Sequence, residues 1–168
     1  MDKIEEKIIR IIDENRERII AFANDILSHP ELGYKEVRTS EKVVEILKDY
    51  VQELETNLAV TGVKGYLKSK NTENINIAII GELDAIVVPN NKYADKNTGA
   101  CHACGHHAQL AGVIGAAIAL SDEEIKNSFK GNVSFLAVPS EEYGEIEYKL
   151  SLKDKGLIKY GGGKSEFM

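Results

Sequence analysis

Two short apolar runs, residues 75–80 and 133–138, bracket an alanine- and glycine-rich segment, "HAQLAGVIGAAIAL", that is apolar nearly all round. A strand covered on both faces reads as continuous apolar residues, and a helix with no polar face has to sit inside a core. The pattern predicts a strand, a buried helix from about residue 107 and a second strand stopped by Pro139. Residues 75–80 are then a central, doubly covered strand, and Gly112 and Gly115 let the helix approach its neighbours closely. In α/β arrangements of this kind ligands gather beyond the carboxyl ends of the strands. The residues found there are Asp84 in "GELDAI", the cluster "CHACGHH" at 101–107, and Glu141 with Glu142 after Pro139.

The flanking segments add further elements. Ile4, Ile8, Ile11, Ile19, Phe22 and Ile26 recur at three- and four-residue steps, which predicts one long amphipathic helix from residue 2 to about 28, ending before Pro30. "RTSEKVVEILKDYVQEL" repeats the pattern, with Thr39 or Ser40 as its cap and Val43, Leu47, Tyr50 and Leu54 as its buried face. "NLAVTGVKGYLKS" reads as a β-rich run joined to the next by an asparagine-bearing link, residues 86–100 as a loop, and Ser121 as the cap of "DEEIKN". The last stretch runs into Gly161, Gly162 and Gly163 with no closing element predicted after them.

Composition excludes several classes. A chain of 168 residues, 43% apolar and 29% charged, supports one ordinary globular core. The net charge of -6 arises from interspersed acids and bases, so there is no basic footprint for nucleic acid. No run reaches membrane-spanning length, and the N-terminus lacks the apolar stretch of a secretory signal. The two cysteines, two residues apart, cannot cross-link a fold. A reducing, cytoplasmic setting is expected.

The cluster at 101–107 carries the most chemistry. Cys104 and His106 can face one cation if the chain turns at Gly105, and sulfur with imidazole nitrogen suits zinc or another late first-row divalent ion. A structural zinc site would want four ligands, yet outside the cluster only His29 offers another histidine or cysteine. Cys101 and Cys104 also form a C-x-x-C at a helix start, a redox pattern, although it follows a loop rather than a strand. Haem attachment requires histidine directly after the second cysteine, where Gly105 stands. Glu141 and Glu142 are either a surface pair or a pair with split roles, one binding a metal while the other takes a proton. Asp84 is either a turn former or a carboxylate that orients a ligating imidazole.

In order and spacing, "SHPELGYKEVRTSEKVVEIL", "TGVKGYL", "GELDAI", "HACGHHAQLAG" and "VPSEEYGE" resemble the M20 metallopeptidase family, specifically its amidohydrolase branch of auxin-conjugate, N-acyl-amino-acid and aminobenzoyl-glutamate hydrolases. The resemblance implies a three-layer α/β/α metallopeptidase-type catalytic domain, with residues 1–168 as its N-terminal portion and the dimerisation domain and C-terminal part outside this chain. It implies Cys104, His106 and Glu142 as metal ligands, Glu141 as the general base and Asp84 as a brace of the site. Glu82 stands where many M20 peptidases have a metal-binding histidine and the amidohydrolase branch has an acid. Cys101 occupies a position that is apolar in the branch, and His107 replaces a common aspartate. The implied activity is hydrolysis of the amide bond of N-acyl amino acids or related small amides by a metal-activated water. Two divalent transition-metal ions are implied, manganese or zinc foremost, with cobalt and nickel as alternatives. Further histidine ligands, and a homodimer, are implied for full-length relatives. The competing expectation is a catalytically incomplete fragment with no activity of its own.

Overall fold

The computed structural model describes residues 2–69 and 75–167. The asparagine-bearing link expected at 70–74 therefore lies outside the described residues. The chain opens with helices α1 (Lys3–Glu14) and α2 (Arg16–Ser28) in place of the single helix expected. Asp2 caps α1, its carboxylate accepting the N–H groups of Ile4 and Glu5, while Glu5 accepts the N–H of Asp2 at 2.9 Å. The break falls at Asn15, whose side-chain amide donates to the Ile11 carbonyl at 2.9 Å and whose backbone leaves helical geometry (φ -101°, ψ 6°). Apolar spacing continues across such a break, so periodicity alone does not reveal it; the asparagine side chain competing for backbone partners does.

Helix α3 (Val37–Leu47) starts earlier and stops sooner than its apolar pattern suggests. Neither Thr39 nor Ser40 caps it. Glu31, outside the helix, accepts the N–H of Arg38 at 3.1 Å and both the N–H and hydroxyl of Thr39 at 2.7 and 2.8 Å, satisfying the free donors of the first turn. Val43 and Leu47 are fully buried, whereas Tyr50 and Leu54 lie past the helix end and pack against the core half-buried.

Strands β1 (Glu53–Leu58), β2 (Gly62–Leu67), β3 (Asn76–Glu82) and β6 (Asn132–Val138) form one sheet in the order β1-β2-β6-β3. β3 and β6 are parallel, the other neighbours antiparallel. Between β3 and β6 run β4 (Ile86–Val87) and β5 (Ala100–Cys101), a short antiparallel ladder inside the segment expected to be a loop, then α4 (His106–Leu120) and α5 (Glu123–Ser128). Asp122, not Ser121, caps α5, accepting from Glu124 and Ile125 at 3.0 and 3.2 Å.

The buried helix is α4. Leu110, Val113, Ile114 and Ala117 meet Phe135 and Ala137 of β6, together with Phe22, Ile26, Val43 and Leu47. Its close approach to the sheet is made by Gly81 of β3, where a Cβ would meet Val113 Cγ2 at 3.0 Å. Gly112 has open space around it, and a Cβ on Gly115 would make ordinary contact with Ile19 at 3.4 Å. β3 is not the central, doubly covered strand expected. It lies at the sheet edge, and Ile75, Ile77 and Ile80 are 47%, 57% and 47% exposed. An apolar run records that a strand is built for cover on both faces; among the described residues that cover is incomplete. The mixed α/β class expected nevertheless holds.

After β6 the chain forms α6 (Ile146–Asp154) and the short α7 (Gly163–Glu166), so the glycine-rich tail does close on itself. No helix among the described residues is long and apolar enough to cross a membrane.

Candidate metal centre

The centre lies where β3, β6 and the start of α4 converge. β3 ends in Glu82, and Asp84 follows after Leu83, whose N–H donates to the Val138 carbonyl at 2.9 Å and ties the two strand ends together. β6 ends before Pro139 and delivers Glu141 and Glu142 through Ser140, a non-glycine residue held at φ 49°. Gly105 adopts φ 87°, the left-handed turn that sequence reasoning required of it, and this swings Cys104 and His106 to the same side.

The donor atoms of Cys104, His106 and Glu142 all lie within 4.8 Å of one another. A second group, Glu82, His106 and Glu141, meets the same limit and shares the imidazole. His106 is buried and firmly oriented: Nδ1–H donates to the Asp84 carbonyl at 2.7 Å, which leaves Nε2 facing the carboxylates. Nε2 stands 2.8 Å from Glu82 Oε2 and 3.9 Å from both Glu141 Oε2 and Glu142 Oε1. Asp84 is completely buried, its Oδ1 is 3.4 Å from His106 Nδ1, and its Oδ2 accepts the N–H of Glu142 at 2.8 Å. One residue therefore fixes two of the donors, His106 through its backbone carbonyl and Glu142 through its carboxylate.

Charge follows from this packing. Burial alone would push the His106 imidazole down, but the hydrogen bonds to Asp84 and the charges of Asp84 and Glu82 raise it to about 9. Burial likewise opposes ionisation of Asp84, and the bonds from His106 and from the Glu142 and Glu141 backbone overcome it, so its carboxyl lies below the ordinary range. The Cys104 thiol is pushed up to about 11, first by its hydrogen bond to Glu142, then by burial and by the neighbouring carboxylates. A thiol held this firmly protonated is a poor redox nucleophile, and a cation is what would release its proton.

The residues fit a divalent ion on an observation independent of motif. Glu142 Oε1 is buried and has no hydrogen-bond partner among the described residues, although it faces the imidazole. Two donors of one zinc-like ion are spaced about 3.5 Å apart, close to the separation between this oxygen and Nε2.

Other expected or alternative residues fall elsewhere. Cys101 is buried in β5 and joins neither donor group. His29 is exposed and donates to the Asp25 carbonyl at 2.8 Å. His107 lies beside His102, ring centres 5.7 Å apart; neither enters the donor groups, and burial first, then His107 and His106, push His102 down to about 4.

Three supporting residues escaped sequence reasoning. Glu36 is fully buried: Oε1 accepts the N–H of Ser140 at 2.8 Å and Oε2 the hydroxyl of Thr61 at 2.7 Å, so it pins the turn that carries the two glutamates. Lys149 donates to the Glu142 carbonyl at 2.6 Å. Lys164, from α7, ion-pairs with Glu82 and lies 3.6 Å from Glu141. Glu36 sits within a motif noted in the sequence, but nothing in one sequence tells a buried acid from a surface one. Beside Glu142, a cleft of about 300 Å³ is lined by Leu32, Ile86, Val87, Tyr143 and Lys149, among others.

A mixed α/β domain that gathers a thiol, an imidazole and paired carboxylates at its strand ends has the makings of a metallohydrolase centre. The chain belongs to peptidase family M20/M25/M40, whose description matches residues 78–161, half of its length. It is 33% identical to the N-acetylcysteine deacetylase of Bacillus subtilis over 129 residues, covering 74% of this chain and 33% of that protein. It is 29% identical to the N-acyl-L-amino acid amidohydrolase of Geobacillus stearothermophilus over 140 residues, 82% of this chain and 37% of the relative. Among solved structures, a Bacillus subtilis protein described as a dinuclear metal-binding peptidase of the M20 family superposes with a TM-score of 0.67 at 29% identity, covering 89% of this chain and 41% of the other. The chain thus spans 33% and 37% of the length of these two curated relatives.

Proposed function

We propose that the chain carries the metal-binding and proton-transfer portion of an amidohydrolase that cleaves N-acyl amino acids or related small amides. The observation that carries this reading is the convergence of Cys104, His106 and Glu142 with a second carboxylate, Glu141, 3.9 Å from the shared imidazole. Cys104, His106 and Glu142 would hold the ion, with manganese or zinc the foremost candidates. A divalent ion bound there supplies Lewis acidity, which acidifies water and polarises an amide carbonyl.

The chain's own residues do the rest. The Asp84 carbonyl holds His106 by its Nδ1–H, so that Nε2 is the nitrogen from which a bound ion would displace the proton, and the Asp84 carboxylate anchors the Glu142 backbone. Glu141, half-exposed at the strand end, takes a proton from the attacking water on its carboxylate and returns it to the departing amine nitrogen. The cleft beside Glu142, with apolar walls from Leu32, Ile86 and Val87, offers a seat for part of the substrate. Relatives named as an N-acetylcysteine deacetylase and an N-acyl-L-amino acid amidohydrolase support this substrate class.

A second reading is a metal-binding module without turnover. It is favoured by the share of its relatives' length that the chain covers, 33% of the N-acetylcysteine deacetylase. The test uses zinc- or manganese-loaded protein and a panel of N-acetyl amino acids. Under the first reading, Glu141→Gln binds metal normally and loses hydrolysis; unchanged hydrolysis in that variant refutes the mechanism. Metal uptake with no hydrolysis by the unsubstituted chain selects the second reading.

A further inference from the structure

The tail of the chain is docked onto the metal centre at defined points. Glu166 gathers the N–H groups of Lys159, Tyr160 and Gly161, closing the segment into a compact loop. Gly163 lies so close to the end of β6 that a Cβ there would meet the Pro139 carbonyl oxygen at 1.9 Å. The Phe167 ring covers Gly62, where a Cβ would fall 2.6 Å from it. Between these anchors Lys164 extends to Glu82, whose side chain is 8% exposed, and toward Glu141.

The ammonium therefore stands at one of the two overlapping donor groups of the centre. Glu82 divides its carboxylate between two partners, Oε2 facing His106 Nε2 at 2.8 Å and Oε1 facing Lys164. If His106 Nε2 turns to an ion shared with Cys104 and Glu142, Glu82 keeps only Lys164. Two carboxylates this close, one of them largely out of water, are stabilised by a positive charge between them, and without it the pair is open to a proton or a metal ion.

We propose that Lys164 is the resident cation of the Glu82–Glu141 side of the centre, confining metal binding in this chain to Cys104, His106 and Glu142 and leaving Glu141 unliganded. The inference rests on the reading of those three residues as the metal site. Its consequence is chemical: a carboxylate coordinated to a dication is a much weaker base, whereas one beside an ammonium keeps an oxygen free and basic enough for a proton. Lys164 is accordingly a positioning residue acting through Glu141.

The test is a count of Co²⁺ ions on the metal-free 168-residue chain, by calorimetric titration and elemental analysis after dialysis, with circular dichroism to follow folding. The unsubstituted chain and Lys164→Arg are expected to bind one ion. Lys164→Met is expected to take up a second ion at least about tenfold more tightly than the unsubstituted chain does, equivalent to ~1.4 kcal/mol, and Lys164→Met with Glu82→Gln returns to one. Gly163→Ala, which pushes the tail off Pro139 without altering any charge, is expected to reproduce the gain. Two ions on the unsubstituted chain, or no added ion in both Lys164→Met and Gly163→Ala, overturns the proposal. Cys104→Ser separates this from the underlying reading: retention of the first ion by that variant refutes the metal site itself.

Discussion

Replacing Glu36 with glutamine is expected to change how stability depends on pH. In the folded chain Glu36 is completely buried, and burial, only partly offset by the bonds from Thr61 and the backbone of Ser140, pushes its carboxyl up to about 7 from an ordinary 4.5. Between those values the folded chain keeps a proton that the unfolded chain releases. This contribution to stability is therefore fully present below about 4.5 and lost as pH rises through about 7. Between pH 5 and pH 8 the loss amounts to roughly 2–3 kcal/mol, a large part of the stability of a domain this size. Glutamine has nearly the same shape and no charge. Its carbonyl can accept the Ser140 N–H while its amide donates to the Thr61 hydroxyl, which turns to accept, so both partners stay satisfied. Urea unfolding of the metal-free chain at pH 5, 6, 7 and 8 is the assay. Glu36→Gln is expected to match the parent at pH 5 within about 1 kcal/mol and to exceed it at pH 8 by roughly 2 kcal/mol. Parallel pH profiles for the two chains would refute the reasoning, because exposed groups titrating in the same range cancel in the difference.

Other outcomes follow from single contacts. Cys104→Ser replaces a thiolate with a hydroxyl that does not ionise, and Co²⁺ or Zn²⁺ affinity is expected to fall by at least about 100-fold, measured by competition with a chromophoric chelator. Asp84→Asn sets an amide where a buried carboxylate accepts the Glu142 N–H and faces His106, so metal affinity in the same competition is expected to drop by about 10–100-fold and the urea unfolding midpoint to fall. Gly33→Ala would place a Cβ 2.5 Å from Ser140 Oγ and 3.1 Å from its Cα, against a backbone already held at positive φ. A loss of about 1–3 kcal/mol is expected in urea unfolding, with weaker metal binding because Ser140 leads into the paired glutamates.

The sites of chemistry were legible because they stand next to strong local patterns. Val133 to Val138 could only be a buried strand, and Pro139 could only end it, so Glu141 and Glu142 had to emerge at a strand end. Gly105 supplies the one turn that lets Cys104 and His106 face together, and the structure uses it that way. Helix ends were less legible. Glu31, eight residues ahead of Thr39, replaced the cap expected at Thr39 or Ser40, and Asn15 divided a helix whose apolar spacing continued through it. These depend on where a side chain finds its partner, which spacing does not encode.

The sequence by itself determined the apolar strands and the buried helix, the residue types available to a metal, and their places after β3 and β6 and at the start of α4, because local propensity and apolar period act over a few neighbouring residues. Only the tertiary structure decided the sheet order that leaves β3 at an edge with Ile77 exposed, and the burial of Glu36 beneath the Glu141–Glu142 turn. It alone brought Lys164, more than eighty residues from Glu82 in sequence, against that carboxylate. Charge and hydrogen-bond energies depend on distance and on exclusion from water, and chain folding sets both between residues far apart in sequence.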